Sequence, residues 1–415
     1  MESRRATIRD VRRRNRSVLL STLFFHGPLS RLELSAVTGL SAATASNVTA
    51  ELIDERLIVE AGQVESDGGR PRVLLRVDPG YGDVIGVDVG ETGVKVELFD
   101  LGMTRKATVD EPLPSARPKP AAVADRVAAG IHKVIMEAGV ATDSVIAAGI
   151  GVPGIVEQGE TSLVYAPTIG WRAVALERLL RDRNVALPLF VDNGAKTLGQ
   201  AEMWFGAGRG VNHAVIALVG SGVGAAIIHN GAIYRGVSSS AGEWGHTTIA
   251  YGGRECRCGA RGCLEAYVGA EGIIDRYRKA RGPRYSRKYD EVTQIRNIIE
   301  AAGRSAVAAD LLEETAGMLG AGLANLINLF NPERVVLGGW AGIALGEQLL
   351  PQIRAAARAQ SLDHPYGQTS IELCELGPDA VAFGAATLPV AAMLALGADP
   401  RDDRRSRLPV DEEVA

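Results

Sequence analysis

The first 80 residues place apolar side chains at helical spacing and then switch to the alternation that is typical of strands. A first helix is predicted over residues 7–25, whose apolar positions are Ile8, Val11, Val18, Leu19 and Leu23. Ser30 and Glu33 form a capping-box pair that begins a second helix, and a glycine turn ends it. Ser41 caps a third helix, which runs to about Glu55. A helix, a short glycine turn and a second capped helix together predict a helix-turn-helix motif.

The helix after Ser41 carries small and polar side chains on the face opposite its apolar stripe. A solvated helix more often carries Lys and Glu there, whereas small polar side chains suit entry into the major groove of DNA. The next stretch, LIVEAGQVESDGGRPRVLLRV, predicts two strands around a glycine-rich tip, a wing whose arginines can enter a minor groove. The predicted DNA contacts are Ser41, Ala43, Thr44, Ser46, Asn47, Arg70 and Arg72. Helical hairpins also occur in proteins that bind no DNA, so the helix-turn-helix alone is a moderate signal.

A second pattern begins near Tyr81, where apolar strands alternate with glycine turns and helices. Residues 83–100 predict a strand, a glycine turn and a second strand, and residues 213–236 repeat that order about 130 residues later. Further buried strands are predicted in VIAAGIGVPGIV, LPLFVDN and ERVVLGGW, and a long helix is predicted from Leu311 to Phe330. Strands that alternate with helices predict an α/β fold, and two similar units predict two lobes with a cleft between them.

Composition and charge narrow the class of protein. The chain has 415 residues, which suggests two or three domains, and 46% hydrophobic residues supply ample core. Residues 1–16 carry seven Arg against Glu2 and Asp10, a net charge of +5, so the rest of the chain carries −9 to give the overall −4. A basic leader on an acidic body predicts a polyanionic partner at one end, and a solvated helix start is the plainer alternative. The sequence shows no uninterrupted apolar stretch of about 18 residues and no apolar run before the N-terminal charges, so it predicts no membrane span, no secretory signal and a cytoplasmic location.

The strongest chemical signal is the segment EWGHTTIAYGGRECRCGARGCLEAY. Cys256, Cys258 and Cys263 lie within eight residues, and His246 lies ten residues before the first of them. In a chain with no secretory signal, clustered cysteines favour a metal over a disulfide. Three thiolates and one imidazole fill a tetrahedral shell and leave no place for water, which predicts one structural zinc ion per chain. The plainer alternative is three reduced core cysteines on a glycine-rich loop, and Cys374, which stands alone, is expected in the core.

These motifs resemble those of the ROK family (repressor, open reading frame, kinase) from about residue 8 to residue 393. EWGH with CRCGARGCLE resembles the family's sugar-and-zinc signature, GIGVPGIV its strand-to-turn motif under the sugar, VGSGVGAAI its second phosphate loop and VVLGGW its loop near the adenosine. The winged helix, including GGRP, resembles the DNA-binding end of the family's repressors, which its kinases lack. The resemblance implies a two-lobed sugar-kinase or actin-like fold, which is ribonuclease H-like.

The resemblance also implies sugar contacts at Asn193, Glu243, His246 and Glu265. Carboxylates and amides bind hydroxyl groups in pairs, so these residue types agree with a sugar ligand. His246 can bind zinc through one ring nitrogen and a sugar hydroxyl through the other, in which case the metal fixes its tautomer. Ordinary surface carboxylates are the alternative for Glu243 and Glu265.

The catalytic position of the family's kinases is altered in this chain. Those kinases carry Asn-Asp-Ala-Asn, and the Asp removes the proton from the attacking sugar hydroxyl. Here Asn193 matches the first Asn, Gly194 falls where the Asp should be and Lys196 replaces the second Asn. Asp192 is two positions early, and if the segment continues as a strand it lies about 6–7 Å from the required place. The sequence therefore predicts that no residue serves as catalytic base.

The predicted nucleotide loops are also altered. The family pattern Asp-x-Gly-Gly-Thr appears here as Asp88-Val89-Gly90-Glu91-Thr92, which puts a negative charge where phosphate would approach, and Thr168 stands where many family members have Asn. A glycine-rich turn between strands is weak evidence for a nucleotide, because folding alone can explain it. The residues interpreted as remnants of nucleotide loops are Asp88, Gly90, Thr92, Gly220, Gly222, Gly224, Gly338 and Gly339.

These interpretations divide the chain into a winged helix-turn-helix (1–80), a small α/β lobe (81–195), a large α/β lobe with the zinc loop (196–395) and a disordered tail (396–415). They predict a sugar-responsive transcriptional regulator, a repressor of carbohydrate genes, that senses its effector with a catalytically degenerate kinase domain. Its expected partners are operator DNA, a sugar or sugar phosphate, and further copies of itself in a homodimer or homotetramer. The alternatives are an active sugar kinase with a regulatory DNA-binding arm, and a module that docks a protein partner and uses no sugar.

Overall fold

The computed structural model describes residues 7–66, 69–113, 117–282 and 290–401. Within these ranges the chain forms a winged helix followed by two α/β lobes, each with its own five-stranded sheet. None of the helices in the described part of the chain combines the length and the apolarity that crossing a bilayer requires.

The winged helix consists of three helices and a small antiparallel sheet. Its elements are α1 (Ile8–His26), β1 (Leu29–Ser30), α2 (Arg31–Thr38), α3 (Ala42–Asp54), β2 (Ile58–Ser66) and β3 (Gly69–Val77). Ser30 and Glu33 form the predicted capping box of α2, and Ser41 caps α3 by accepting a hydrogen bond from the Thr44 N–H. Gly39 ends α2 at φ 69°, a left-handed conformation that favours glycine. The helices, their caps and the glycine turn lie where the predicted helix-turn-helix requires them.

The wing is the antiparallel hairpin of β2 and β3, and β1 pairs with the other edge of β3. Asp67, Gly68 and the side chain of Arg70 lie outside the described residues. The sequence places Arg70 and Arg72 at the tip of the wing, but both belong to β3, and Arg72 pairs with Val64. The strand is longer than predicted because the ladder continues to the pair Ser66 and Gly69.

The small lobe is a five-stranded sheet with an additional three-stranded sheet beside it. Its elements are β4 (Asp83–Val89), β5 (Gly93–Asp100), β6 (Arg105–Pro112), α4 (Pro120–Ala138), β7 (Val145–Val152), β8 (Ile155–Glu157), β9 (Leu163–Ala166), β10 (Trp171–Val174), α5 (Leu176–Arg181) and β11 (Leu189–Asn193). The main sheet has the order β11-β7-β4-β5-β6, in which β4, β5 and β6 are antiparallel and β7 and β11 run parallel to β4. β7 is buried along its whole length, as its continuous apolar run predicts for a central parallel strand.

The large lobe follows α6 (Gly194–Phe205) and repeats this strand order. Its elements are β12 (Ala214–Val219), β13 (Val223–His229), β14 (Ala232–Ile233), α7 (Glu265–Val268), α8 (Ala270–Arg281), α9 (Glu291–Ala301), α10 (Ala306–Phe330), β15 (Arg334–Gly338), α11 (Trp340–Gln360), α12 (Asp363–Gln368) and β16 (Ser370–Leu373), and α13 (Ala380–Leu396) comes last. The sheet order β14-β13-β12-β15-β16 again joins an antiparallel set to two parallel strands. α10 begins five residues before the predicted start at Leu311, because Ser305 caps it.

Two helices, α6 and α13, cross between the lobes. α6 leads from β11 of the small lobe to β12 of the large lobe, and α13 leads from the large lobe back onto β4 and β7. The prediction that 196–395 is one lobe is therefore wrong for α13, because Ala386, Val390 and Met393 are buried with α1 and the small-lobe sheet. α13 is apolar on all sides, so no stripe of the sequence shows which sheet it covers.

The predicted disordered tail begins too early. Residues 397–401 are packed against the folded body: the Gly397 carbonyl oxygen accepts a hydrogen bond of 2.8 Å from Arg16 Nε. Asp399 is buried, and it accepts hydrogen bonds from Tyr81 Oη at 2.9 Å and from Arg401 Nη2 at 2.6 Å. These partners are remote in sequence, so the polar composition of the tail does not reveal them. The remaining residues, 402–415, lie outside the described residues.

Candidate functional site

The four predicted metal ligands come together beside α7. His246 ends a short 3₁₀ turn, and Cys256, Cys258 and Cys263 lie on the loop that precedes the helix. The ligand atoms of these four side chains all lie within 4.8 Å of one another. The loop is tied to itself by two isolated β-bridges, so the cysteines approach the histidine as one compact unit.

Two glycines between the cysteines are needed to close this loop. Gly259 has φ 94° and Gly262 has φ 81°, left-handed conformations that L side chains rarely adopt. A Cβ atom on Gly262 would also lie 1.8 Å from the carbonyl oxygen of Ala250. The spacing of the cysteines and the glycines between them therefore belong to one turn geometry.

The cluster has the dimensions of a tetrahedral metal site. Cys258 Sγ and Cys263 Sγ are 3.8 Å apart, and Cys256 Sγ and His246 Nδ1 are 3.7 Å apart. A tetrahedral zinc ion with bonds of about 2.3 Å to sulfur and about 2.0 Å to nitrogen places such atom pairs about 3.5–3.8 Å apart. Burial raises the pKa of the Cys256 thiol to about 12, so three thiolates at this place need a cation to neutralise them. The donor set fits a metal ion.

Three of the four predicted sugar ligands lie together next to this cluster. Burial raises the pKa of the Glu243 carboxyl. The neighbouring His246 and Lys196 oppose this shift, and Glu265 adds to it. Glu265 is buried at the start of α7, and its Oε2 accepts a hydrogen bond of 2.9 Å from the Val223 N–H. Nδ1 of His246 faces the cysteines, so Nε2 is the ring nitrogen directed away from them. Together, the three side chains can donate hydrogen bonds to a polar ligand and accept hydrogen bonds from it.

Asn193, the fourth predicted sugar ligand, begins α6. Its Oδ1 accepts hydrogen bonds from the N–H groups of Ala195 and Lys196 at 2.9 and 3.2 Å, and its Nδ2 donates to the Gly154 carbonyl oxygen at 2.6 Å. Three of the four hydrogen-bonding positions of the amide are thus used by backbone, which leaves one for a ligand. Asn193 fixes the start of α6 to the turn after β7, and this capping role was not predicted.

Gly194, the position at which the family's kinases are expected to carry a carboxylate, is the first residue of α6. The strand ends at Asn193, so Asp192 and Gly194 do not share a strand face, as they would if the strand continued. Asp192 is buried, with Oδ2 held by Arg235 Nη2 at 2.7 Å and Oδ1 by the Asn193 N–H at 2.8 Å. A Cβ atom on Gly194 would make ordinary contact with Val381 at 3.5 Å, so the site has room for a side chain that the sequence omits.

Lys196 is buried in the first turn of α6. Its Nζ donates a hydrogen bond of 2.8 Å to the Ser239 carbonyl oxygen. Burial lowers the pKa of this lysine, and the neighbouring carboxylates of Asp192 and Glu243 oppose that effect. The amino group of Lys196 therefore lies next to Glu243, one of the predicted ligands.

Glu91 forms an ion pair that crosses the cleft. Nη1 of Arg257, which lies between two of the clustered cysteines, is 2.5 Å from Glu91 Oε2, and Nη2 donates to the Ser221 carbonyl oxygen at 3.2 Å. Nη2 is also 3.4 Å from Glu265 Oε1. Only 9% of the Glu91 side chain and 18% of the Arg257 side chain are exposed. The ion pair joins the small lobe to the metal loop at the point where the two predicted phosphate loops face each other.

The glycines of the predicted nucleotide loops have packing reasons of their own. Gly339 has φ 77°, and a Cβ atom there would lie 2.5 Å from the Val219 carbonyl oxygen. A Cβ atom on Gly224 would lie 3.3 Å from the Cβ of Ala195 on α6. Backbone approach and left-handed conformation explain Gly339, and the packing of α6 against β13 explains Gly224, without a nucleotide.

The predicted DNA-reading face of α3 points away from the core. Ala45, Val48 and Leu52 are buried as the apolar stripe predicts. The predicted contact residues are on the other side, where Thr44 is half-buried and Ser41, Ala43, Ser46 and Asn47 are exposed.

A groove of about 1540 Å³ runs along β11 and α13. It shares Asp192, Arg235 and Ser239 with the surroundings of the site, and its lining includes none of the four predicted sugar ligands. The chemistry of the cleft, rather than the volume of this groove, identifies the candidate site.

Sequence reasoning missed Arg235, Arg257 and the capping role of Asn193. Arg257 had a usable signal, because a residue between two metal ligands must follow the loop into the cleft. Arg235 had none, because its partner Asp192 is 43 residues away and on another element.

Comparison with known proteins agrees with this geometry. Residues 84–391 match the model of the ROK family. The chain is 31% identical over 395 residues to the putative xylose repressor of Caldicellulosiruptor sp. strain Rt8B.4, a match that covers 93% of this chain and 97% of that protein. It is 33% identical over 310 residues to the glucokinase of Halalkalibacterium halodurans, which covers 72% of this chain and 92% of that protein.

A solved structure described as a ROK family transcriptional regulator, a homologue of the Escherichia coli MLC protein, is 26% identical and superposes with a TM-score of 0.77 over 93% of this chain and 97% of its own. The family model covers both lobes, and the regulator and repressor matches extend over nearly the whole chain. The chain belongs to the ROK family.

Proposed function

We propose that this protein is a sugar-responsive transcriptional repressor that binds operator DNA through its winged helix. One combination of features in a single chain carries the proposal. The helix α3 exposes a face of small and polar residues, and the cleft contains Glu243, His246 and Glu265. Position 194 at the start of α6 is a glycine and offers no carboxylate. Relatives named xylose repressor and N-acetylglucosamine repressor match over more than nine-tenths of this chain, which supports the same function. D-Xylose and N-acetyl-D-glucosamine are therefore the first effectors to test.

The metal in this proposal is one structural zinc ion per chain, held by His246, Cys256, Cys258 and Cys263. The ion supplies a rigid support and presents no open position for chemistry. It would orient the ring of His246, so that Nε2 meets a sugar hydroxyl, and hold the loop that carries Glu265.

The kinase alternative has a specific observation in its favour, which is the 33% identity to a glucokinase. The geometry of the cleft opposes it. Asp192 is tied to Arg235, position 194 offers no proton acceptor, and the Glu91–Arg257 pair stands where the phosphate loops meet. We therefore expect ATP-dependent phosphorylation of sugars at or near background, whereas metabolic kinases turn over roughly 1–100 times per second.

One experiment separates these functions. Thermal unfolding is measured with a panel of pentoses, hexoses and their phosphates, and operator binding and ATP turnover are then measured with each sugar that stabilises the protein. A ligand at 100 times its dissociation constant adds about 2.7 kcal/mol to the free energy of unfolding. The proposal predicts a sugar that stabilises the protein, weakens operator binding and is not phosphorylated. Rapid phosphorylation would support the kinase, and no response to any sugar would support a protein-docking module.

We also propose that the protein acts as a homodimer or homotetramer in the cytoplasm. A helix-turn-helix reads only one half-site, and two half-sites about one turn of DNA apart require two copies. Sedimentation equilibrium of the zinc-bound protein tests the assembly, and a monomer at micromolar concentration would contradict it.

A further inference from the structure

α6 extends from the candidate sugar site to the winged helix. Its first turn contains Asn193 as cap and Lys196, which donates to the Ser239 carbonyl oxygen in the cleft. Its last turn contains Trp204 and Phe205. A helix of 12 residues is about 18 Å long, so one rigid element separates the two places.

The last turn of α6 meets the end of α1 in a group of aromatic rings, which we name the aromatic junction: Phe24, Phe25, Trp204, Phe205 and Phe383. The ring centroids of Phe25 and Trp204 are 4.9 Å apart with an interplanar angle of 86°, and those of Phe24 and Trp204 are 5.9 Å apart. Phe205 packs against Phe383 of α13 at 5.3 Å. The edge-to-face geometry is directional, so the junction responds to the relative position of α1, α6 and α13.

α6 also packs against both lobes. On the small-lobe side, a Cβ atom at Gly384 of α13 would lie 2.0 Å from the Thr197 carbonyl oxygen, and Gln200 Nε2 donates to Thr387 Oγ1 at 2.8 Å. On the large-lobe side, a Cβ atom at Gly199 would lie 2.3 Å from the Cβ of Ala226 on β13. These contacts leave no free space between the helices and the strand. A change in the angle between the lobes must therefore shift α6 against α13 or against β13.

A second contact joins the same helices to the DNA-reading helix. Arg16 of α1 is almost fully buried, and its Nε donates to the Gly397 carbonyl oxygen at the end of α13. Its Nη1 and Nη2 bind Glu55 of α3 at 2.8 and 2.5 Å, and Nη1 also binds Glu51 of α3 at 3.3 Å. The winged helix is therefore fastened to the end of α13 through the middle of α1, and to α6 through the last residues of α1.

We infer that the aromatic junction is the contact through which sugar binding in the cleft changes the affinity of the winged helix for DNA. The inference rests on the proposed function and adds the route by which sugar binding reaches the winged helix. A sugar that closes the lobes moves α6, the last turn of α6 moves Trp204, and Phe24 and Phe25 carry the shift into α1. The coupling is the factor by which saturating sugar weakens operator binding, commonly about 5–150-fold for such systems.

Phe25→Leu tests this route with little risk to the fold, because 37% of Phe25 is exposed. Phe330→Leu is the matched control, since that ring is 41% exposed at the end of α10 in the large lobe. Trp204→Leu approaches the same contact from α6. For each protein, operator affinity is measured with and without saturating D-xylose, or N-acetyl-D-glucosamine if the wild type responds to that sugar instead, and sugar affinity is measured by calorimetry.

We expect Phe25→Leu and Trp204→Leu to keep sugar affinity and sugar-free operator affinity within about threefold of wild type while the coupling factor falls to a third or less. The double variant should lose no more coupling than the stronger single variant, because the two side chains act in one contact. Phe330→Leu should behave as wild type. Unchanged coupling in both junction variants would overturn the inference and leave the proposed function standing. A wild type that responds to none of the pentoses, hexoses and sugar phosphates of the panel would instead refute the proposed function and this route with it.

Discussion

Asp88 is the next-to-last residue of β4, and it is half-buried. Burial raises the pKa of this group to about 7; Lys95 opposes the shift, and Asp379 and Glu97 reinforce it. At position 192 the same residue type has a different partner, because Arg235 Nη2 donates to its Oδ2 at 2.7 Å. Residue identity therefore does not determine chemistry here; the partners that folding supplies do.

The raised pKa of Asp88 makes stability depend on pH. A carboxyl group whose folded pKa exceeds its unfolded value of about 3.8 stabilises the fold fully below pH 4, and this contribution is lost as the pH rises through about 7. The side chain in Asp88→Asn cannot ionise. The free energy of unfolding of this variant, relative to that of wild type, should therefore rise by about 1–3 kcal/mol from pH 5 to pH 8. Urea denaturation at both pH values measures this difference. Asp310→Asn, which alters an exposed carboxylate on α10, is the control, and parallel pH profiles of Asp88→Asn and wild type would contradict the prediction.

At the scale of elements, the metal loop and α7 form one unit. The loop holds three of the four candidate metal ligands, Cys256, Cys258 and Cys263, and α7 begins at Glu265 two residues after the last of them. Cys258→Ser should lose the zinc ion and disorder the loop, and with it sugar binding. Elemental analysis and calorimetry measure the two losses. Cys374→Ser is the control because that thiol contacts Glu202 outside the cluster, and it should keep one zinc per chain. Protein purified without chelator that contains no zinc would refute the assignment.

The helix α3 and the wing should contribute to DNA binding in different ways. Asn47 is exposed on the predicted reading face, and an Asn–adenine pair is worth about 1–3 kcal/mol of discrimination. Asn47→Ala should therefore lower sequence preference. Arg70→Ala should weaken binding to all sequences alike and flatten the dependence on salt, since backbone contacts carry no sequence information. Binding of a selected operator and a scrambled duplex over a salt series tests both, and wild-type behaviour of both variants would contradict them.

Elements that follow from local rules were predictable from the sequence. The caps at Ser30 and Ser41, the glycine that ends α2 and the paired strand-turn-strand units depend on neighbours a few residues away. The placement of α13 on the small lobe was not predictable, because an all-apolar helix shows no preferred face. The cluster of metal ligands was predictable from spacing, whereas the ion pairs of Asp192 and Glu91 join elements that only the fold brings together.

At the scale of the whole molecule, sensing and DNA binding are one thermodynamic system. The winged helix contacts α13 and α6, and those two helices join the lobes that enclose the cleft. A ligand that prefers one arrangement of the lobes must therefore act on the winged helix to the extent that the two sites are coupled.

This coupling is reciprocal, and that gives a prediction without any mutation. If saturating sugar weakens operator binding by a given factor, operator DNA must weaken sugar binding by the same factor, because both describe one free-energy cycle. Calorimetric titration of the sugar into the free protein and into the preformed operator complex measures the second factor, and operator titrations with and without sugar measure the first. Titration of the sugar into the complex with a scrambled duplex is the control. Unequal factors would show that a step outside this cycle, such as dissociation of the oligomer, carries the response, and the mechanism would then lie between copies of the chain rather than along α6.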